Sequence, residues 1–132
     1  MARPDARYIN GQMARQRRTW SLDIATERVP GGIVITPRGR IGTLTAPAFA
    51  AALASARAES PRVVIDLEGV DYISGPGVMA LRDAVSGQGG HATLSGLSEP
   101  VRITLELAGL LDGVSIEDTR AAAIERLKGS LS

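Results

Sequence analysis

Val63-Val64-Ile65-Asp66-Leu67 is a run in which apolar side chains follow one another almost without alternation. A strand with one wet face alternates apolar and polar residues, because successive side chains point to opposite faces. A run that is apolar at successive positions therefore belongs to a strand covered on both sides. Such strands sit in parallel sheets flanked by helices. The chain around this run has to supply those helices and the crossovers between strands.

It does so in regular order. Trp20 to Val29 and Ile33 to Pro37 read as two strands joined by a tight turn at Pro30-Gly31-Gly32. The segment Gly39 to Leu44 leads into a helix over about Ala46–Ala58, with Thr45 as its cap and Pro47 in its first turn. Phe49 and Leu53 fall on one face of that helix. After Val63–Leu67, the loop Glu68 to Ile73 precedes a second helix from Pro76 to Gly87, with an apolar stripe of Val78, Leu81 and Val85. A strand over His91–Leu97 and a helix over Glu99–Ala108 follow, closed by Gly109. Val114–Ile116 is the last strand and Thr119–Lys128 the last helix, with Ile124 and Leu127 inward. The order predicts an α/β fold: a mixed, mainly parallel sheet with helices packed on it, right-handed crossovers and an opening antiparallel hairpin.

A chain of 132 residues suits one domain. Aromatic residues make up only 3% of it, so aliphatic side chains must fill the core. There is no cysteine, which removes disulfides, thiolate metal sites and thiol nucleophiles together. No apolar run reaches the roughly 18–20 residues that span a bilayer, and the opening residues lack the apolar centre of a signal peptide. The expectation is a cytoplasmic protein without membrane insertion. The net charge of +1 is unevenly spread: residues 1–19 carry Arg3, Arg7, Arg15, Arg17 and Arg18 against the single acid Asp5. With Pro4, Asn10 and Gly11 and little periodicity, residues 1–19 read as a flexible basic arm, and 20–132 as the domain. The charges are too few to indicate a specific nucleic-acid partner.

Catalytic chemistry is not visible. His91 is the only histidine, and one imidazole cannot make a metal site. The patterns G-x-S-x-G, G-x-G-x-x-G and the phosphate loop are absent. Asp66, Glu68 and Asp71 cluster at the C-terminal end of a central strand, where α/β proteins bind ligands and where three carboxylates could hold magnesium. Solvated carboxylates are the simpler reading. We expect no enzyme activity, no cofactor and no metal.

The segment from Val70 to Val78 is the most informative. A strand end, a tight loop and a helix start meet there: Ser74 can cap, Gly75 permits close approach, and Pro76 presets the first-turn φ. Capping explains Ser74 and Pro76, but less readily the two glycines flanking the proline.

Here the sequence resembles the STAS family, which includes bacterial anti-sigma factor antagonists and the cytoplasmic domains of sulfate transporters. In that family an aromatic and an aliphatic residue lead into Asp-Ser-Ser-Gly or Asp-Ser-Thr-Gly and then a helix. Tyr72-Ile73 matches the lead-in and Gly77 the final glycine. Gly39-Arg40-Ile41-Gly42-Thr43-Leu44-Thr45-Ala46 resembles the family's Gly-x-Leu-Asp-x-x-Thr-Ala. Ser98-Glu99-Pro100-Val101 and Leu107-Ala108-Gly109-Leu110 resemble its Ser-Pro-x-Val and small-Gly-Leu stretches. The matches run in family order over roughly residues 20–128.

The resemblance implies a non-catalytic interaction module. Its partner would be an anti-sigma factor or a related GHKL-type kinase, bound through Arg40, Gly42, Thr43, Thr45, Ser74, Gly75, Pro76, Gly77, Met79 and Arg82. The alternative is a structural subunit joined to other STAS proteins, in a signalling scaffold or a lipid-transporter complex. The chain also departs from the family pattern. The motif Asp falls on Ser74, the phosphorylated Ser on Gly75, and the Asp before the first helix on Gly42. Gly75 has no hydroxyl, so the usual phosphorylation cannot occur there. Ser74 is the remaining acceptor candidate, one residue early.

Overall fold

The structure, a computed structural model, describes residues 22–86 and 91–129. The expected arm over 1–19, the start of the first strand at Trp20 and the end of the second helix at Gly87 lie outside those residues. The elements run β1 (Leu22–Val29), β2 (Gly32–Ile41), α1 (Ala46–Glu59), β3 (Arg62–Asp66), β4 (Val70–Ile73), α2 (Gly75–Val85), β5 (His91–Ser95), α3 (Glu99–Leu107), β6 (Ser115–Glu117) and α4 (Arg120–Gly129).

The six strands form one sheet in the order β1-β2-β3-β5-β6, with β4 also paired to β2. β1 and β2 make the antiparallel hairpin, from Val29 opposite Gly32 to Leu22 opposite Gly39, and Gly31 turns it at φ 95°. The other pairings are parallel. Val63, Val64 and Ile65 are all fully buried: Val63 and Ile65 enter one core cluster and Val64 the other. Their unbroken apolar run thus reports two covered faces. The larger cluster takes Phe49 and Leu53 from α1, Val78 and Leu81 from α2, and Val101 and Leu105 from α3. The smaller sets Val34 and Val64 against Ala123 and Leu127 of α4.

Two sequence expectations need correction. β2 does not stop at Pro37 but continues to Ile41, and Val70–Ile73 is a strand and not part of a loop. Both changes have one cause. The long β2 pairs with β3 over Ile33–Ile35 and then with β4 over Gly39–Ile41. Pro37 falls between these stretches, where no parallel partner needs its missing N–H. β4 has only four residues, and its burial runs buried, exposed, exposed, buried across a register shift, so it shows no strand periodicity. The Ser98 hydroxyl donates to the Val70 carbonyl at 2.9 Å and ties the start of α3 to β4.

Asp66 also differs from the expectation of a solvated carboxylate. It is 4% exposed, and its Oδ1 accepts from the Ser95 hydroxyl at 3.1 Å and from the Glu68 N–H at 3.3 Å. Parallel pairing of β3 with β5 sets Asp66 beside Ser95. Glu68 and Asp71 are exposed, and among the described residues no three His, Cys, Asp or Glu side chains stand together as a metal site. No helix among them is long and apolar enough to cross a membrane.

Candidate functional site

Extending β2 to Ile41 brings two loops together at one end of the sheet. Ile41 pairs with Ile73, and the Ser74 N–H donates to the Ile41 carbonyl at 2.8 Å. The Gly42–Thr45 loop and the Ser74–Gly77 turn therefore start from adjacent strand ends.

The first loop is held by its own threonine. Thr45 precedes α1, but its hydroxyl does not cap the helix as expected; it accepts from the Gly42 N–H at 2.8 Å and donates to the Arg40 carbonyl at 2.9 Å. The loop is thereby fastened to the end of β2, with Thr43 exposed and Gly42 buried. The second loop is held by Ser74, whose hydroxyl accepts from the Gly77 N–H at 3.3 Å as the N-cap of α2. Ser74 is 8% exposed. Its hydroxyl thus caps the helix from a buried position and does not project into solvent.

The expected contact residues divide accordingly. Thr43, Gly75, Pro76 and Met79 are exposed; Arg40, Thr45 and Arg82 are half-buried; Gly42, Ser74 and Gly77 are buried and shape the loops from within. A β-carbon added at Gly75 would meet nothing within 4 Å. Arg82, expected to face outward, donates from Nη2 to the Ala108 carbonyl at 2.9 Å, at the C-cap of α3. That bond holds it along the domain surface.

Two exposed apolar residues at this end were absent from the expected set. Leu44 is 85% exposed, and Tyr72 is 41% exposed with the Arg40 guanidinium 4.7 Å above its ring centre, a cation–π contact. With Gly42, Thr43 and Thr45 they line an open pocket of about 300 Å³. Met79 on α2 adds a third exposed apolar side chain. A signal existed for Leu44, an apolar residue in a polar loop just ahead of a helix. Tyr72 could be placed only once β4 was known to be a strand.

The family profile of the STAS domain matches residues 23–123. The chain belongs to the STAS domain family. No curated protein matches this STAS chain. Among solved structures it is similar to an anti-sigma factor antagonist from Mycobacterium paratuberculosis, 24% identical over 82% of this chain and 95% of that one, with a TM-score of 0.75. It is also similar to the Bacillus cell-fate determinant SpoIIAA in its phosphorylated form: 18% identity, 80% and 99% coverage, TM-score 0.62. A sulfate transporter family protein from Wolinella succinogenes shares 17% identity over 80% and 91% of the chains, with a TM-score of 0.67. At these identities the likeness is one of fold.

Proposed function

We propose that this STAS domain is a non-catalytic, cytoplasmic binding module. It takes an anti-sigma factor or a GHKL-type kinase on the face made by the Gly42–Thr45 loop, the Ser74–Gly77 turn and Met79. The carrying observation is that the two loops leave adjacent strand ends, where Leu44 and Tyr72, both exposed, line one open pocket with Gly42, Thr43 and Thr45. Fold likeness to anti-sigma factor antagonists supports the choice of partner. The domain is taken as 20–132, with the basic residues 1–19 as an arm.

The same reading makes the protein a constitutive binder. Glycine occupies the usual acceptor position at 75, and the neighbouring Ser74 hydroxyl is buried in its cap. Its activity would then be controlled by its abundance or by its partners. A second reading, a structural subunit of a transporter or scaffold, is favoured by the fold likeness to the sulfate transporter family protein.

Affinity capture from the native cell with wild type and Gly75→Asp as paired baits tests this. A kinase-type regulator retained by wild type and lost by Gly75→Asp is the expected result. Transporter subunits retained equally by both baits would replace it with the second reading.

A further inference from the structure

We propose that two copies of this chain join through β1, their edge strands pairing antiparallel about a two-fold axis at Thr26 to make one continuous sheet. The pairing does not rest on the partner proposed for the two loops.

The sheet ends differently on its two sides. In the order β1-β2-β3-β5-β6 the outer strands are β1 and β6. β6 has three residues, and so short an edge offers little to another strand. β1 has eight, contains no proline and pairs with β2 without a shift. Ala25, Thr26, Glu27 and Arg28 are exposed one after another, so no described element covers the middle of this edge.

The turn fixes which backbone groups point outward. Pro30-Gly31 is a two-residue loop closed by the Val29–Gly32 pair, with Gly31 at φ 95°. The pair that closes such a turn is hydrogen-bonded, and bonded pairs alternate with non-bonded ones along an antiparallel ladder. Ile24 opposite Pro37 then falls in a non-bonded pair, the place for a residue without an N–H. The N–H and C=O groups of Leu22, Ile24, Thr26 and Arg28 therefore face away from β2, and no described strand lies beyond them.

Charge selects a second copy as the occupant and sets the register. Two sheets joined about an axis normal to them keep their faces, so outward-facing residues oppose one another. With Thr26 opposite Thr26 of the second copy, Ile24 lies opposite Arg28, Ala25 opposite Glu27 and Asp23 opposite Val29. No charge then stands directly opposite a like charge, and two threonines make a favourable cross-strand pair. The aliphatic stem of Arg28 lies over Ile24. One step either way sets Asp23 against Glu27, or Glu27 against itself, and both are repulsive. Glu27 and Arg28 already have partners within the chain, Arg120 and Glu59, so they bring no unpaired charge to the seam.

Sedimentation of the full chain over a dilution series tests it, with wild type, Thr26→Pro and Thr26→Lys. Thr26→Pro removes one outward N–H, which an edge strand tolerates; Thr26→Lys sets two like charges across the axis. Wild type is expected to reach the dimer mass. Both variants should keep the wild-type circular dichroism and weaken the dimer at least tenfold. Because the chain has no cysteine, a single introduced one reads the register directly. Thr26→Cys should oxidise to a covalent dimer, since paired Cα atoms stand about 5.5 Å apart. Arg28→Cys should not, because the two copies of position 28 are then four residues apart along the seam, roughly 14 Å. A wild type that stays monomeric at the highest concentration reached overturns the proposal, as does a dimer that both variants leave intact. Unfolding of Thr26→Pro overturns the outward assignment and the proposal with it, and cross-linking of Arg28→Cys in place of Thr26→Cys overturns the register. Failure of the partner reading appears in the paired-bait capture and leaves these masses unchanged.

Discussion

Gly77 lies so close to Ile41 that a β-carbon on the glycine would fall 2.7 Å from Ile41 Cγ2 and 2.8 Å from Ile73 Cγ1. Those methyl and methylene groups belong to fully or nearly fully buried side chains that close the end of the core. The absence of a side chain at Gly77 lets the first turn of α2 rest on the ends of β2 and β4. That contact sets the distance between the two loops.

Gly77→Val is therefore expected to destabilise the domain by about 1–3 kcal/mol through overpacking. A thermal melt reads it, since each kcal/mol is worth roughly 4–8 °C in a domain of 60–100 residues and less in larger ones. An unchanged melting temperature would mean that α2 does not approach Ile41 this closely.

Gly75→Asp should separate binding from stability. Its β-carbon meets nothing, and an acid in the first turn of α2 interacts favourably with the helix dipole, by about 0.3–1 kcal/mol. The melting temperature should hold or rise. Affinity for the captured partner should fall by roughly 1–3 kcal/mol, because an unpaired carboxylate is desolvated in the complex. Titration calorimetry of both proteins checks it, and equal affinities would move the binding face away from this turn.

Phosphorylation should be recoverable by restoring the acceptor. Wild type should stay unmodified with the cognate kinase and ATP, whereas Gly75→Ser should be modified in part. Adding Ser74→Asp should increase the yield, since the acid can accept the hydroxyl proton, and aspartate caps α2 about as well as serine. Pro76, where the family carries a second Ser or Thr, keeps recovery incomplete. Mass spectrometry of the wild type, the two single variants and the double variant decides it. High occupancy of phosphate on wild-type Ser74 would defeat this prediction, because the hydroxyl would have to leave its cap.

Ser95→Ala should cost about 1–3 kcal/mol in urea unfolding. It removes the hydroxyl that donates to buried Asp66 and leaves the Glu68 N–H as the one remaining donor described for that carboxylate. A midpoint equal to that of wild type would show that water or a neighbouring group replaces the bond.

Much of this protein was legible from local pattern. The unbroken Val63–Ile65 run gave away a doubly covered strand, since every successive side chain in it is buried. Pro30-Gly31 specified the hairpin turn because only a residue such as glycine takes the positive φ found at Gly31. Ser74 announced its helix, because a cap acts on an N–H three residues away. These are short-range effects, and their causes lie within a few residues of one another.

What only the tertiary structure decided came from partners distant in sequence. Val70–Ile73 is a strand because the far end of β2 offers it a ladder, not because its own residues alternate. Asp66 is buried because β5, some thirty residues on, brings Ser95 beside it. Arg82 is turned along the surface by the carbonyl end of α3. For Asp66 and Arg82 the side chain's chemistry was plain from the sequence, and its role waited on which group distant in sequence folding placed against it.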